Sequence, residues 1–284
     1  MTTHVTVVGA GTMGHGIAYV AALAGCEVRL TDTRSEVLPR AIEKIESLLA
    51  RGLERGKITD EDRTAVRARL RQEPRLRTAV VRADVVIEAV VEDLGVKQRL
   101  FVDVERDAPR GALLASNTSS LSIGEIASTM TQPTRLIGMH FFNPVHVMKL
   151  VEVVTHGAGS ISAADRAVAF ARQLGKEPIV VRDSPGFASS RLGVVLGLEA
   201  MRMLEQDVAS AEDIDKAMEL GYNHPMGPLK LTDLVGLDVR LAIAEYLYAT
   251  LGKPQYEPPK ILRDKVTKGE LGKKTGKGFY TWSD

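Results

Sequence analysis

The chain has 284 residues, which is enough for one large or two modest domains. Lys and Arg total 37 against 36 for Asp and Glu, and this near-zero balance gives no general attraction to nucleic acid or acidic membranes. Cys26 is the only cysteine, so an intrachain disulfide and a cysteine-rich metal site are both excluded.

The first residues of the chain are typical of a strand, a glycine turn, a helix and a second strand. β-Branched residues dominate 3–9, apolar residues recur at helical spacing over 15–25, and 26–32 is predicted as the second strand. Residues 5–26 lack charged side chains, but their five glycines and the lack of a basic leader argue against a membrane span or a signal peptide. We therefore expect a cytoplasmic protein.

After this start, strand and helix patterns alternate up to residue 183. Residues 34–77 are predicted as two charged helices inserted after the second strand, with Thr59 and Asp62 placed as a capping box. The further predicted strands are 83–90, 111–117, 135–142, 149–154 and 177–181, and the further predicted helices are 94–107, a short helix capped by Ser122 and Glu125, and 162–174. Such alternation is typical of an α/β fold with a Rossmann-type, doubly wound and mostly parallel sheet.

Strand patterns stop after residue 183, and only helical patterns follow. The predicted helices are 186–206, 211–220, 229–250 and 258–269. We therefore expect two domains, a dinucleotide-binding domain over 1–183 and an all-helical domain over 184–284.

The turn after the first strand matches the dinucleotide-binding pattern G-x-G-x-x-G. Its residues are Gly9, Gly11, Thr12, Met13 and Gly14. Because the turn follows a predicted strand and opens a predicted helix, Gly9 would permit a tight turn and Gly14 a close helix–strand contact, while Gly11 would let a pyrophosphate approach the backbone.

Asp32 ends the second predicted strand, 18 residues after Gly14. A carboxylate at this position accepts hydrogen bonds from ribose hydroxyls and repels a 2′-phosphate, which favours NAD over NADP. Arg34 lies two residues further on and keeps NADP open as an alternative.

The segment GMHFFNPVHVMKLVEVV (138–154) places two histidines and one glutamate among apolar residues. An alcohol dehydrogenase needs a base for the hydroxyl proton, and a histidine oriented by a carboxylate suits that role. His140 and Glu152 would form such a pair if their strands are neighbours. The alternative is a buried histidine that is merely hydrogen-bonded. His146 is predicted in a loop or at a strand edge, with no catalytic role.

Taken together, the motifs resemble the L-3-hydroxyacyl-CoA dehydrogenase family, including the short bacterial 3-hydroxybutyryl-CoA dehydrogenases. The resemblance covers nearly the whole chain. The motifs that carry it are VVGAGTMGHGIA (7–18), VIEAVVEDLGVK (86–97), ASNTSSLSI (115–123), HFFNPVHVMKLVEVV (140–154), DSPGF (183–187), HPMGPLKLTDLVGLD (224–238) and GKKTGKGFY (272–280).

The resemblance implies a role for each matched position. His140 matches the catalytic base and Glu152 the acid that pairs with it. Ser119 and Asn143 match residues that contact both cofactor and substrate. The remaining matched cofactor contacts are Glu92, Lys97 and Lys274, together with the glycines and Asp32 of the fingerprint.

Each of these polar residues also has a structural alternative. Ser119 could cap the helix that follows it, and Asn143 could shape a turn before Pro144. Glu92 and Lys97 could form an exposed helix pair, and Lys274 could be a solvated tail lysine.

One position departs from the family pattern. The family usually has PGFxxNR, whereas this chain has PGFASSR, so that Ser190 replaces the asparagine. A serine is shorter and has one hydroxyl in place of an amide, so a contact to substrate or cofactor would be altered or bridged by water. We expect altered fine geometry and retained activity.

The resemblance implies NAD-dependent oxidation of an L-3-hydroxyacyl-CoA without a metal, and a homodimer formed through the helical domain. A sugar-acid dehydrogenase of the gulonate type and a non-catalytic, crystallin-like NAD-binding protein are the alternatives. Residues 51–77 carry nine Lys or Arg against five acids. Such a run is usually a solvated helix face, and in this family it lies near the CoA nucleotide, whose phosphates it would attract.

Overall fold

The computed structural model describes residues 2–157 and 161–283. The chain divides into two compact units, Met1–Ser184 and Pro185–Asp284. The outermost residues of the two predicted domains, Met1 and Asp284, lie outside the described residues. Within residues 2–157 and 161–283, no helix is long and apolar enough to cross a membrane.

Within its described residues, the first unit contains one eight-stranded sheet. The strands are β1 (His4–Val8), β2 (Glu27–Thr31), β3 (Leu70–Gln72), β4 (Val85–Glu88), β5 (Leu113–Ser116), β6 (Leu136–Phe141), β7 (Leu150–Thr155) and β8 (Glu177–Arg182). Their order is β3-β2-β1-β4-β5-β6-β7-β8. Neighbours run parallel except β6 and β7, which are antiparallel. This arrangement confirms the predicted α/β class with a doubly wound, mostly parallel sheet.

The helices of the first unit lie between these strands in the chain. They are α1 (Thr12–Leu23), α2 (Val37–Glu54), α3 (Asp60–Arg69), α4 (Leu76–Val80), α5 (Leu94–Asp107), α6 (Ile123–Ala127) and α7 (Ile161–Gln173). Apolar spacing explains why α2 forms and which face it buries, since Leu38, Ala41, Ile45 and Leu49 recur on one face and are all buried.

The inserted segment 34–77 differs in part from its prediction. The capping box is present, because the Thr59 side chain accepts from the Asp62 backbone N–H and the Asp62 carboxylate accepts from Thr59. The strand β3 was not predicted. Its sequence, LRQ, is largely exposed, and the strand forms by backbone pairing with β2 at the sheet edge, which leaves no apolar pattern to detect.

Strands β4, β5 and β6 are buried along their whole length. Such strands are expected to be nearly continuously apolar, because a parallel sheet is covered on both faces. Three polar residues nevertheless lie at or near the carboxyl ends of these strands: Glu88, Ser116 and His140. A buried polar group must be satisfied by hydrogen bonds, so these three positions point to a functional region.

The described part of the second unit is helical. Its helices are α8 (Ser189–Glu205), α9 (Ala211–Gly221), α10 (Pro228–Val235), α11 (Leu237–Leu251) and α12 (Lys260–Thr267). The single helix predicted over 229–250 is wrong, since Gly236 separates α10 from α11 with a φ of +103°. An apolar pattern continues across that glycine, which is why periodicity alone missed the break.

The C-terminal GKGFY segment is fixed to α10 by a buried carboxylate. Asp233 accepts hydrogen bonds from the backbone N–H groups of Phe279 and Tyr280 at 2.8 and 2.9 Å, and from the Trp282 indole at 2.8 Å. A side chain at Gly278 would overlap the Asp233 carboxylate, so glycine is required there.

Candidate active site

The glycine turn lies where the order of the sheet reverses, between β1 and β4. Gly9 has a φ of +102°, and a Cβ at this position would overlap the carbonyl of Ala89, the residue after β4. A Cβ at Gly14 would overlap the Gly9 carbonyl. Both glycines are therefore required for the turn to pass between the two strands.

The N-terminus of α1 is open at this crevice. Gly11 is its N-cap residue and provides no side-chain cap. A Cβ added at Gly11 would meet nothing within 4 Å, so the space above the turn is open. The free N–H groups of the first turn, to which Thr12 and Met13 belong, are suited to bind phosphate.

Asp32 is attached to the glycine turn by hydrogen bonds. Its carboxylate accepts from the backbone N–H of Ala10 at 2.8 Å and from that of Arg34 at 2.9 Å. It lines a cleft of about 460 Å³ together with Gly9, Gly11 and a largely apolar wall. The apolar members of that wall are Val8, Leu76, Ala89, Val90, Val91, Val96 and Leu100. The charged members of the cleft are Asp32, Arg34 and Asp103. A cleft with apolar walls and a carboxylate beside the glycine turn suits a nucleoside with free ribose hydroxyls.

His140 and Glu152 are register partners on the antiparallel strands β6 and β7. The His140 Nδ1 and Glu152 Oε2 atoms are 2.8 Å apart. His140 is 7% exposed and Glu152 is 0% exposed, so both groups are removed from bulk water. The ring of His140 also packs against Phe142, with centroids 4.4 Å apart.

Ser119 lies in a turn that one carboxylate holds in place. Glu92 accepts hydrogen bonds from the Thr118 hydroxyl at 2.5 Å and from the Ser119 backbone N–H at 3.0 Å. Ser120 adds a further N–H to the same oxygen at 3.3 Å. Burial would raise the pKa of Glu92, but the Lys97 charge and the hydrogen bonds from Thr118 and Ser119 outweigh it and lower that pKa.

Behind this turn lies a buried ion cluster that sequence reasoning missed in part. Lys97 is 1% exposed and lies 2.5 Å from the Glu88 carboxylate and 3.3 Å from that of Glu92. Glu88 is 0% exposed and also accepts from the Ser116 hydroxyl at 2.6 Å. The exposed helix pair considered for Glu92 and Lys97 is therefore wrong. A lone carboxylate ending the apolar strand VVIE was the signal that could have identified Glu88.

Asn143 is the second residue of the loop that connects β6 to β7 and is exposed. His146 lies in the same loop, as predicted, and lines a second cleft, of about 480 Å³. Basic residues of this cleft include Arg51, Arg55, Lys57 and Lys176. Burial, followed by the charges of Lys176 and Lys57, lowers the pKa of His146.

The other two predicted positions lie in the second unit. Lys274 forms an ion pair with Asp238, its Nζ atom being 2.6 Å from each carboxylate oxygen. Ser190 lies in the first turn of α8 and is half-buried. Across 2–157 and 161–283, no group of three or more His, Cys, Asp or Glu side chains is placed to hold a metal ion.

Family models match both units. Residues 4–184 match the NAD binding domain of 3-hydroxyacyl-CoA dehydrogenase, and residues 186–282 match the C-terminal domain of that enzyme. The NAD-binding model identifies the first unit as a dinucleotide-binding unit, in agreement with the fingerprint.

Whole proteins and solved structures are similar over nearly the full chain. A probable 3-hydroxybutyryl-CoA dehydrogenase of Bacillus subtilis is 44% identical over 280 residues, which cover 99% of this chain and 97% of that protein. The mitochondrial hydroxyacyl-coenzyme A dehydrogenase of Homo sapiens is 40% identical over 98% of this chain and 91% of its own. The crystal structure of (S)-3-hydroxybutyryl-CoA dehydrogenase from Ralstonia eutropha covers 100% of both chains with a TM-score of 0.95 at 38% identity.

We predict that two fingerprint glycines respond differently to alanine. Gly14→Ala should lower the free energy of unfolding by about 2 to 4 kcal/mol, because the new methyl overlaps a backbone carbonyl that cannot move freely. Gly11→Ala should lower the free energy of unfolding by less than about 1 kcal/mol, because its methyl enters open space in the crevice. The same methyl should raise the Kd for NADH, because it occupies space above the turn that the cofactor needs. Urea unfolding and NADH fluorescence titration measure the two effects. Equal losses of stability in both variants would contradict this account.

We also predict strong coupling between Glu88 and Lys97. Either Glu88→Leu or Lys97→Met alone should lower the free energy of unfolding by about 3 to 5 kcal/mol. Lys97→Met leaves the buried Glu88 carboxylate without a cation, and Glu88→Leu leaves Lys97 only its longer contact with Glu92. The double variant should recover most of that loss, because both fully buried charges are removed and the partly exposed Glu92 keeps its hydrogen bonds from Thr118 and Ser119. Urea unfolding of wild type, the two single variants and the double variant tests this prediction. It is refuted if the double variant loses as much free energy of unfolding as the two single variants together.

Proposed function

The chain belongs to the 3-hydroxyacyl-CoA dehydrogenase family, and on that premise we propose that it oxidises an L-3-hydroxyacyl-CoA to the 3-ketoacyl-CoA reversibly, with NAD as the hydride acceptor. We propose 3-hydroxybutyryl-CoA as the substrate, since relatives with that name are similar over the whole chain. The observation that carries the proposal is the buried 2.8 Å contact between His140 and Glu152 on opposed strands.

In this mechanism His140 takes the proton of the C3 hydroxyl. Glu152 accepts the Nδ1–H of the ring and so leaves Nε2 as the basic atom. The same carboxylate stabilises the imidazolium once the proton has moved, and this effect is strong because both groups are buried. Bound NAD supplies the acceptor for the C3 hydride.

Ser119 and Asn143 are assigned to the substrate oxygen and the cofactor. A hydroxyl and an amide can each donate a hydrogen bond to that oxygen, which stabilises the charge that develops on it in either direction. Glu92 supports this role, because it accepts from the Ser119 backbone N–H and so fixes the turn. The Ser119 hydroxyl donates to Glu92 at 3.4 Å, a long contact that it exchanges for the substrate oxygen when substrate binds. Lys97 in turn holds Glu92. The family resemblance assigns Lys274 to the cofactor, and its ion pair with Asp238 orients the ammonium group.

We assign NAD rather than NADP as the cofactor. The Asp32 carboxylate lies in the cleft with the glycine turn and already accepts two backbone N–H groups. Its remaining acceptor capacity suits ribose hydroxyls, whereas a 2′-phosphate would be repelled. Cys26 is buried, and burial raises the pKa of its thiol to about 11, which makes the thiol unreactive.

We propose that the enzyme is cytoplasmic, because a single cysteine, which forms no intrachain disulfide, fits a reducing compartment.

The second cleft is assigned to the nucleotide part of CoA. Its rim carries Arg51, Arg55 and Lys57 from the basic stretch, and its floor is apolar. Apolar floor residues include Val20, Leu23, Ala24, Ile58 and Leu174. Cationic side chains attract phosphates, and an apolar floor accommodates an adenine ring.

We propose that the helical unit also forms a homodimer. Large apolar side chains are exposed at recurring positions of its helices: Leu192 and Leu196 on α8, Leu231, Leu234 and Val235 on α10, and Val239 on α11. Helix α10 packs against both α8 and α11, and exposed apolar side chains on neighbouring helices favour an association site.

We predict that the protein oxidises NADH in the presence of acetoacetyl-CoA, much faster than it oxidises NADPH, and does not oxidise gulonate. His140→Ala should lower kcat by about 10² to 10⁴-fold, because the general acid–base is lost. The matched control is His4→Ala, at the amino end of β1, which should retain the wild-type rate. No turnover of acetoacetyl-CoA would reject the function, and near-wild-type turnover by His140→Ala would reject the mechanism.

We predict that Leu196→Glu converts a dimer into a monomer, because it places a charge in the apolar surface of α8. Leu220→Glu is the matched control, since Leu220 is 80% exposed on α9 and should tolerate a charge. Sedimentation equilibrium measures the mass in solution. A monomeric wild type, or a Leu196→Glu variant that remains dimeric, would reject this interface.

A further inference from the structure

Lys176 is a buried ammonium group outside the catalytic pair. It lies between α7 and β8 and is 7% exposed. Its Nζ donates to the carbonyl oxygens of Val145 and, at 2.9 Å, of Met148. Neither acceptor is charged, and the lysine has no ion pair within the described segments 2–157 and 161–283. Burying a charge without a counter-ion is costly, and burial lowers the Lys176 pKa accordingly.

Both acceptors belong to the loop that carries Asn143. In this loop the Pro144 carbonyl accepts from the N–H groups of Val147 and Met148 at 2.9 and 3.0 Å, which makes one compact turn. The two carbonyls bound by Lys176 lie in that turn, within five residues of Asn143. Lys176 therefore determines where the turn lies relative to the end of β6.

A second contact fixes the same turn from the dinucleotide-binding helix. The Val145 side chain packs directly over Gly16 of α1, where a Cβ would be 2.9 Å from Val145 Cγ2. The turn is therefore held between α1 on one side and the Lys176 ammonium on the other. Removing the ammonium would leave two buried carbonyls without their donor, and the turn would shift.

Lys176 also lines the second cleft, beside His146 and the cations of its rim. An ammonium group has three N–H donors, and two are used by the carbonyls. The third is available to an anionic or carbonyl group of a molecule bound in that cleft.

We propose that Lys176 is a positioning residue that links the CoA cleft to the Asn143 loop, holding the loop with two hydrogen bonds while its third donor binds the CoA part of the substrate. This inference rests on the proposed function. It adds Lys176, which belongs neither to the motifs shared with the family nor to the His140–Glu152 pair. A displacement of about 1 Å of a group near the reacting atoms can lower the rate about 100-fold. Loss of the single buried lysine that holds the Asn143 loop can therefore lower the rate strongly.

Two substrates separate the two roles: acetoacetyl-CoA, and acetoacetyl-N-acetylcysteamine, a thioester that lacks the nucleotide. Lys176→Met should lower kcat/KM for the truncated thioester about 10-fold or more, through the displaced loop. For acetoacetyl-CoA, the same variant should lower kcat/KM by a larger factor than for the truncated thioester, and KM should increase. Lys57→Met is the matched control, because Lys57 lines the cleft without holding the loop. It should raise KM for acetoacetyl-CoA and leave the truncated thioester unaffected.

Two further measurements make the result decisive. The far-UV circular dichroism spectrum of Lys176→Met should match that of wild type, which excludes general unfolding of the first unit. If that variant does not fold, Lys176→Gln retains a neutral donor and should show the same pattern with smaller losses. Absence of wild-type turnover with either substrate would refute the proposed function and not this inference. Equal kcat/KM of Lys176→Met and wild type on the truncated thioester would overturn the positioning role.

Discussion

In the first unit the direction of the sheet reverses between β6 and β7, and this reversal places His140 directly opposite Glu152. Side chains opposed across an antiparallel pair lie on the same face of the sheet and within contact distance. The two residues are therefore held by backbone pairing rather than by flexible loops. A base built in this way has little freedom to lose when the substrate binds, which is what a proton-transfer site requires.

The other polar groups of the site follow the same constraint. Parallel strands present their carboxyl ends at one edge, and that edge carries Gly9 after β1, Asp32 after β2, Glu88 in β4 and Ser116 in β5. Burial beside the strands makes each charge expensive, so each one is paired or hydrogen-bonded. The Glu88–Lys97–Glu92 cluster is the clearest case, since it carries the Ser119 turn at its exposed end.

The sequence allowed much of this to be predicted, because the relevant signals are local. The glycine fingerprint, the acid after β2 and most strand and helix positions depend on spacing within a few residues. The missed features depend on distant partners. Strand β3 exists because the edge of β2 accepts it, and the break at Gly236 depends on backbone conformation within an unbroken apolar pattern. Glu88 and Lys176 became visible only once burial and partners were known.

The central claim is that Glu152 acts through His140, and a double-mutant cycle tests it most directly. It compares kcat/KM for acetoacetyl-CoA in wild type, His140→Ala, Glu152→Gln and the double variant. If the carboxylate only orients and stabilises the imidazole, Glu152→Gln should lower kcat/KM strongly when His140 is present. The same substitution should not lower kcat/KM further when His140 has been replaced by alanine. Losses that multiply independently in the double variant would contradict the account.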